Sequence, residues 1–324
     1  MSAGTPTRGP APARRPAPAR PGDVVRRTPA ARRSRRAEAA FGYGMIGLAG
    51  AAILLFTIGP ILASFGLSFF AWDVITPPRF VGLDNYAAIG GDQRVVHSFG
   101  VTLVLAFSIV LLQVAIGLFL ALLVDQRRRA STKAVFRTVF YLPLLASTAA
   151  VSIFMTYMFN ERFGVVNYYL RLLGGSGVPW LTSDAGAVVT IVFVAVWQSV
   201  GFTFVLFVAA LAGLPRDVME AAEIDGAGPV RSLLRIKLPL ISPTVFFACV
   251  IGLINAMQLF DQAFIMTKGG PGTATTTITM VIYQTAFQNL QFGYGSAISM
   301  VLFAALIALT GLQFTLSRRL VFYS

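Results

Sequence analysis

Six stretches of this chain contain no Asp, Glu, Lys or Arg, and each is long enough to cross a lipid bilayer. They run from Ala39 to Trp72, Val95 to Val124, Thr138 to Asn160, Ala185 to Pro215, Leu238 to Phe260 and Gly269 to Ser317. An ionised side chain in hydrocarbon is costly, and a helix needs about twenty apolar residues to span the core. The pattern predicts an all-α, polytopic membrane protein with six transmembrane helices, at about 43–71, 98–124, 138–159, 187–213, 240–260 and 295–316. The last stretch exceeds one crossing, because GGPGTATTT at its start is turn-like and Met280 to Leu290 reads as an interfacial helix. A charged fraction of 12% excludes a soluble globule, in which charged residues make up about a quarter.

Basic residues orient the spans. Twenty-one of the 26 Lys and Arg fall in the N-terminal tail, the second-to-third loop, the fourth-to-fifth loop and the C-terminus. Only Arg79, Arg94, Arg162, Arg171 and Lys268 fall in the alternate loops. The positive-inside rule then puts both termini in the cytoplasm. Residues 1–38 are Ala, Pro and Arg with little to bury, so a disordered basic tail is expected, followed by a permease domain over 39–324. The net charge of +13 is concentrated in that tail, which suits contact with anionic lipid headgroups. An RNA-binding arm is the other reading of such a tail, and no nucleic-acid partner is expected.

The chemistry of an enzyme is missing. No G-x-x-x-x-G-K-[ST] occurs, so the chain cannot itself hydrolyse ATP through a P-loop. One histidine, His97, cannot build an H-E-x-x-H zinc site, and no metal ligands or catalytic residues are expected. The single Cys249 allows no intrachain disulfide. Gly174-Gly175-Ser176-Gly177 matches the serine motif of intramembrane proteases but lies outside the charge-free runs, and reads as a loop. A proton- or sodium-coupled carrier usually places ionisable groups at mid-membrane. None falls there, and Asp261, near the outer end of the fifth run, is the only borderline case.

The stretch Leu214 to Thr244 is a polar interruption that reads as two short helices hinged at glycine. Asp217 can cap the first with Glu220 as capping-box partner, Gly226 can end it in a left-handed conformation, and Pro229 suits a first helical position. Ala221 and Ala222 leave that helix slim.

Glu220-Ala221-Ala222, Gly226 and Ile236-Lys237-Leu238-Pro239 resemble the EAA loop of permease subunits in ATP-binding-cassette (ABC) importers. Four further segments extend the resemblance to the carbohydrate-type, MalF-like branch. They are Phe80-Val81-Gly82-Leu83-Asp84-Asn85-Tyr86, Phe136-Arg137 with Leu142-Pro143, Pro179-Trp180-Leu181, and Thr267 with Gly269-Gly270-Pro271 and Thr275. The resemblance implies the type I importer permease (MetI-like) fold in a bacterial plasma (inner) membrane. It implies that loop 214–244 couples to an ATPase through Glu220, Ala221, Ala222, Asp225, Gly226, Ala227, Arg231 and Arg235. The implied partners are a second MalF/MalG-type permease, two ATPase subunits that use ATP and Mg, an external solute-binding lipoprotein and the lipid bilayer. No cofactor is expected on this chain.

For the substrate, a sugar or a related polyol or glycerophosphodiester, the fourth and fifth spans carry polar groups at membrane depth: Gln198 and Ser199 between Trp197 and Phe202, and Asn255 with Gln258. Amides can donate to and accept from sugar hydroxyls, and an aromatic ring can cover the apolar side of a pyranose. The same groups would also serve as interhelical packing glue, the reading favoured for Gln113. An importer for another small solute and an ion-coupled carrier stay open as alternatives.

Overall fold

Backbone at membrane depth has no water to bond, and a helix closes its hydrogen bonds within one segment. The computed structural model describes residues 29–125 and 130–320, with side chains given for 38, 41–124 and 134–318. Its regular structure is helical apart from one two-stranded ribbon. Residues 1–28 of the tail, and Arg127, Arg128 and Arg129 of the second inward loop, lie outside the described residues.

The chain divides into two units, residues 1–60 and 61–324. The first contains α1 (Pro29–Ile53) and a π-helical turn, Leu54–Ile58. Helix α1 begins inside the stretch expected to be a disordered tail. After α2 (Gly59–Leu67), the second unit continues with a ribbon of β1 (Phe70–Ala71) and β2 (Arg79–Phe80) in which Phe70 faces Phe80. Next come α3 (Asp84–Gly91), α4 (Gln93–Asp125), α5 (Ala130–Leu145), α6 (Thr148–Met158) and α7 (Val165–Leu172). The long α8 (Asp184–Ala212) leads to the short α9 (Arg216–Ile224) and α10 (Pro229–Ser232). The chain closes with α11 (Leu238–Met257), α12 (Ile278–Tyr283) and α13 (Phe292–Leu320).

Five helices meet the length and composition of a crossing: Phe41–Leu67, Gln93–Val124, Asp184–Ala212, Pro229–Met257 and Phe292–Arg318. The other expected span, 138–159, is not one helix. It is a pair, Ala134–Leu145 and Thr148–Met158, bent by 95°. Pro143 brings no amide hydrogen to α5, and Ser147 is extended (φ −58°, ψ 128°), so the helix cannot run through. The first span stops at Leu67, short of residue 71, because Phe70 and Ala71 pair with the ribbon strand. The fifth starts at Pro229, well before residue 240. Its helix runs unbroken out of the charged loop 214–237 through a π-helical turn, Leu233–Lys237, where Leu238 N–H reaches back to the Leu233 carbonyl. Pro239, which has no N–H to give, enforces this shift.

Helix α8 is the one the others wrap. Two thirds of its apolar window is buried, against 17% for that of Phe292–Arg318. Helix α4 runs along it and α11 closes the third side, with Leu105, Ile109, Ile191, Val196 and Leu253 buried between them. Toward the loop that follows α8, Phe204 and Phe207 are fully buried, and Phe140 meets Phe204 edge-on at 5.4 Å. Between apolar helices in lipid the driving force is close packing, which small residues permit. A Cβ at Gly201 would run into the Phe140 carbonyl, so α5 and α8 touch there backbone to backbone. The outward faces, such as Leu111 and Phe119 of α4, stay exposed and apolar, as lipid contact requires.

Candidate functional site

A cavity of about 440 Å³ opens where two spans lose their helical form. One break is at Ala146–Ser147, between α5 and α6. The other is at Gln258–Phe260, where α11 ends and the chain turns before a short helix resumes at Asp261. Irregular backbone at this depth is tolerated where it lines a cavity or is taken up by neighbouring side chains. Both occur. Gln198 Nε2 donates to the Ala146 carbonyl at 3.2 Å and to Thr148 Oγ1 at 3.3 Å, and Thr279 Oγ1 donates to the Leu259 carbonyl at 2.6 Å.

Five of the six expected pathway residues, Gln198, Ser199, Phe202, Asn255 and Gln258, line the cavity. Trp197 does not. At 100° per residue, positions 198, 199 and 202 of α8 share a face that 197 leaves, and its indole is 38% exposed elsewhere. The polar lining falls into two classes. Ser199 Oγ donates to Gln113 Oε1 at 2.8 Å, the Gln113 carbonyl accepts from Thr203 at 3.0 Å, and Gln262 Nε2 lies 3.5 Å from Gln198 Oε1. These groups bond one another and hold α4, α6, α8 and the Asp261 turn together. The side chains of Asn255, Gln258 and Asp261 have no hydrogen-bond partner among the described residues, and the two amides are exposed. Gln113 and Gln198 therefore act as the glue foreseen for polar groups in spans, although both also line the site.

Sequence reasoning passed over Phe260 and Gln262. The signal was available: a polar pair, Asp261-Gln262, directly follows a charge-free run. Phe260, on the cavity wall, stacks on Phe264 at 5.0 Å and meets Tyr283 edge-on at 5.3 Å; Tyr283 in turn contacts Phe287 at 5.8 Å. A row of rings thus leads away from the cavity.

The second candidate surface is the loop between α8 and α11. Helix α9 has Pro215 as its N-cap and Asp217 in its first turn, with no side-chain cap, so the expected capping box does not form. Its end is as expected. Gly226 is left-handed (φ +69°), its N–H donates to the Glu223 carbonyl at 3.1 Å, and Ala227 N–H donates to the Ala222 carbonyl at 2.9 Å. These paired bonds form a Schellman stop. Pro229 then opens α10 with Gly228 as N-cap. Glu220, Ala221, Asp225, Gly226, Arg231 and Arg235 are exposed, and Ala227 is part-buried. Ala222 is 7% exposed and faces inward, so it packs α9 against the chain and is unavailable to a partner; of the two alanines, only Ala221 is outward. The outward surface also carries Ile224 at 85% and Val230 at 67% exposure. An open groove of about 700 Å³ runs beside it, lined by Val218, Leu234, Leu238 and Pro239.

The outer motif residues are engaged within the chain. Asn85 Nδ2 donates to the Ser68 and Phe70 carbonyls at 2.8 and 3.0 Å, tying α3 to the end of the first span. Asn167 of α7 accepts from the Trp180 indole at 2.9 Å and holds the Pro179-Trp180 turn. Thr267 and Thr275 share a 2.7 Å hydrogen bond across the Gly269-Gly270-Pro271 turn.

Residues 113–321, which span most of the cavity lining and the whole loop, match the family described as "Binding-protein-dependent transport system inner membrane component". The chain belongs to that family. Among its relatives, the trehalose/maltose transport system permease protein MalF of Thermococcus litoralis is 34% identical over 275 residues, covering 84% of this chain and 92% of that one. The sn-glycerol-3-phosphate transport system permease protein UgpA of Yersinia enterocolitica is 36% identical over 248 residues, covering 76% and 82%. The fold is that of a chain in the crystal structure of a bacterial ABC transporter involved in the import of the acidic polysaccharide alginate. The TM-score is 0.77 at 22% identity, covering 88% of this chain and 98% of that one. As a member of this binding-protein-dependent family, the chain is a multi-pass membrane permease of the ABC importer class, and the ion-coupled carrier left open above is set aside.

Proposed function

We propose that the chain is one of two related permeases that together pass a sugar or a related polyol from an external solute-binding lipoprotein into the cytoplasm. Two ATPase subunits, which bind and hydrolyse ATP with Mg, would supply the force, and both termini of this chain would face the cytoplasm. The observation that carries this reading is a single helix. Pro229–Met257 begins at the exposed loop and ends at Asn255 on the cavity wall, so a push on one end is felt at the other. Its 29 residues span roughly 43 Å at 1.5 Å per residue.

The exposed side of loop 214–244, with Glu220, Ala221, Asp225, Gly226, Arg231 and Arg235, would sit in a cleft of the ATPase. Ile224 and Val230 would supply apolar contact, and the arginines would meet acidic groups. Closure of the ATPases on nucleotide would rock α9 and the long helix as a body and switch the cavity between outward and inward access. The unpartnered amides of Asn255 and Gln258 would bond ligand hydroxyls, while Phe202 and Phe260 cover its apolar face.

The test is uptake of labelled saccharides by vesicles containing the purified complex. We expect uptake to require the ATPase, the binding protein and ATP together. Uptake that survives omission of the ATPase would refute the reading.

A further inference from the structure

The cavity wall discriminates by charge. Eight polar side chains line it, and no Lys, Arg or His is among the residues around it. Gln113, Thr148, Gln198, Ser199 and Gln262 each place at least one polar atom in a hydrogen bond to one another or to backbone, while Gln113 Nε2 and Gln262 Oε1 make none among the described residues. The other three, Asn255, Gln258 and Asp261, have side chains that make no hydrogen bond among the described residues, and they are spaced by three along the end of α11 and the turn that follows, on one wall. Asp261 is the one charged group lining the cavity, and it is only part-buried there.

We propose that this wall selects uncharged, hydroxyl-rich ligands over anionic ones, with Asp261 as the specificity-determining residue. The proposal rests on the carbohydrate reading above and narrows it, setting aside the glycerophosphodiesters. Two amides offer both donors and acceptors, and hydroxyl groups match either. The Asp261 side chain, as a carboxylate, only accepts, and its two oxygens can take the O–H bonds of neighbouring hydroxyls on one sugar ring. A phosphodiester, sulfonate or uronate group has no O–H to offer at neutral pH and needs cationic or N–H partners. Among the lining residues it would find no cation and would meet a like charge. A protonated amine would gain from the same carboxylate, so the wall discriminates against anions and not against cations, and the amino sugar should lose that gain in Asp261→Asn. The relatives named for trehalose/maltose and for sn-glycerol-3-phosphate bracket the choice, and the lining places this chain with the neutral class.

The test bypasses the binding protein, which has its own selectivity. The assembled permease–ATPase complex in nanodiscs is titrated by saturation-transfer NMR with a glucose disaccharide, its uronic acid analogue and its amino sugar analogue. In the unaltered complex the neutral disaccharide should bind at least about tenfold tighter than the uronate, the scale of one like-charge contact largely screened by solvent. Asp261→Asn should close that gap to within about threefold while weakening neutral binding by less than about fivefold. Asp261→Glu, which keeps the charge, should preserve the gap, and Asn255→Leu should weaken both ligands without changing their ratio. The proposal is overturned if the uronate binds the unaltered complex as tightly as the neutral sugar, or if Asp261→Asn leaves their ratio unchanged. Binding of none of the three would refute the carbohydrate reading itself, a result distinct from a wrong ratio.

Discussion

Two polar segments interrupt the apolar chain, and they behave oppositely. Thr267 to Thr279, on the far side of the fifth span, turns its threonines 275–277 inward: Thr275 and Thr277 have no exposed surface, and Thr276 is 7% exposed, while Lys268 and Thr273 stay exposed. Every hydroxyl there is spent. Thr275 donates to the Gly270 carbonyl at 2.8 Å, Thr276 to Gly269 at 3.0 Å, and Thr279 to Leu259 at 2.6 Å. The loop over residues 214–237 leaves Glu220, Asp225, Arg231 and Arg235 exposed, with Ile224 and Val230 projecting beside them. Burying a polar group is affordable only when it is bonded, and exposing a large apolar group on a charged loop gains nothing unless something covers it. The first segment is bonded within this chain and braces the cavity, whereas the second has the exposed apolar and charged groups that the proposed docking to an ATPase needs.

Substitutions should divide along that line. The largest effect is expected from Ile224→Asp, which should lower ATP-dependent uptake by about a hundredfold, in the manner of losing an interface anchor, with thermal stability unchanged. Normal uptake in this variant would break the comparison. Gly226→Val forces a β-branched residue into a left-handed conformation, at about 1–2 kcal/mol, and re-aims the chain beyond α9. Uptake should fall at least tenfold while membrane insertion, read by protease accessibility, survives. Thr275→Val should do the reverse. Removing its hydroxyl leaves the Gly270 carbonyl and Thr267 short of a partner, for about 1–3 kcal/mol of stability, and uptake per folded molecule should hold. A coupling defect without a shift in melting temperature would contradict that assignment.

The smallest effect belongs to Asp73, at the outer end of the first span. The Thr76 N–H and hydroxyl, at 2.7 and 2.8 Å, hold its carboxyl below the ordinary carboxylate range. Because the folded value is the lower one, the turn gains from ionised Asp73 above the unfolded value near 3.9, and the gain is lost as pH falls through the folded value. Asp73→Ala should therefore differ from the unaltered chain at pH 7 and converge with it in acid, as followed by hydrogen exchange of Ile75 and Thr76.

Much of this was legible in the sequence because lipid imposes a coarse rule: charge-free runs mark crossings, and five of six appear as helices. The third escaped because the rule counts composition and is blind to continuity; Pro143 and Ser147 break the helix without adding any charge. Helix ends were misplaced for the same reason, since Pro229 to Lys237 are helical yet charged. In the loop, the Gly226 stop could be foreseen from local chemistry alone, whereas the inward turn of Ala222 depends on how α9 packs. In the cavity, Asn255 and Gln258 stood out as amides in an apolar run. Which amides are spent and which are free depends on contacts between residues 50 to 90 positions apart, such as Gln198 with Ala146 and Ser199 with Gln113.

The central claim is that force reaches this permease through the exposed loop. It is tested most directly by placing a single cysteine at Ile224, in a Cys249→Ala background, and cross-linking the assembled complex in its native membrane with a short thiol reagent. The account predicts a covalent product with the ATPase subunit whose yield changes with bound nucleotide. A cysteine at this position that is instead labelled from outside intact cells, or that never joins the ATPase in a complex active for uptake, would contradict it.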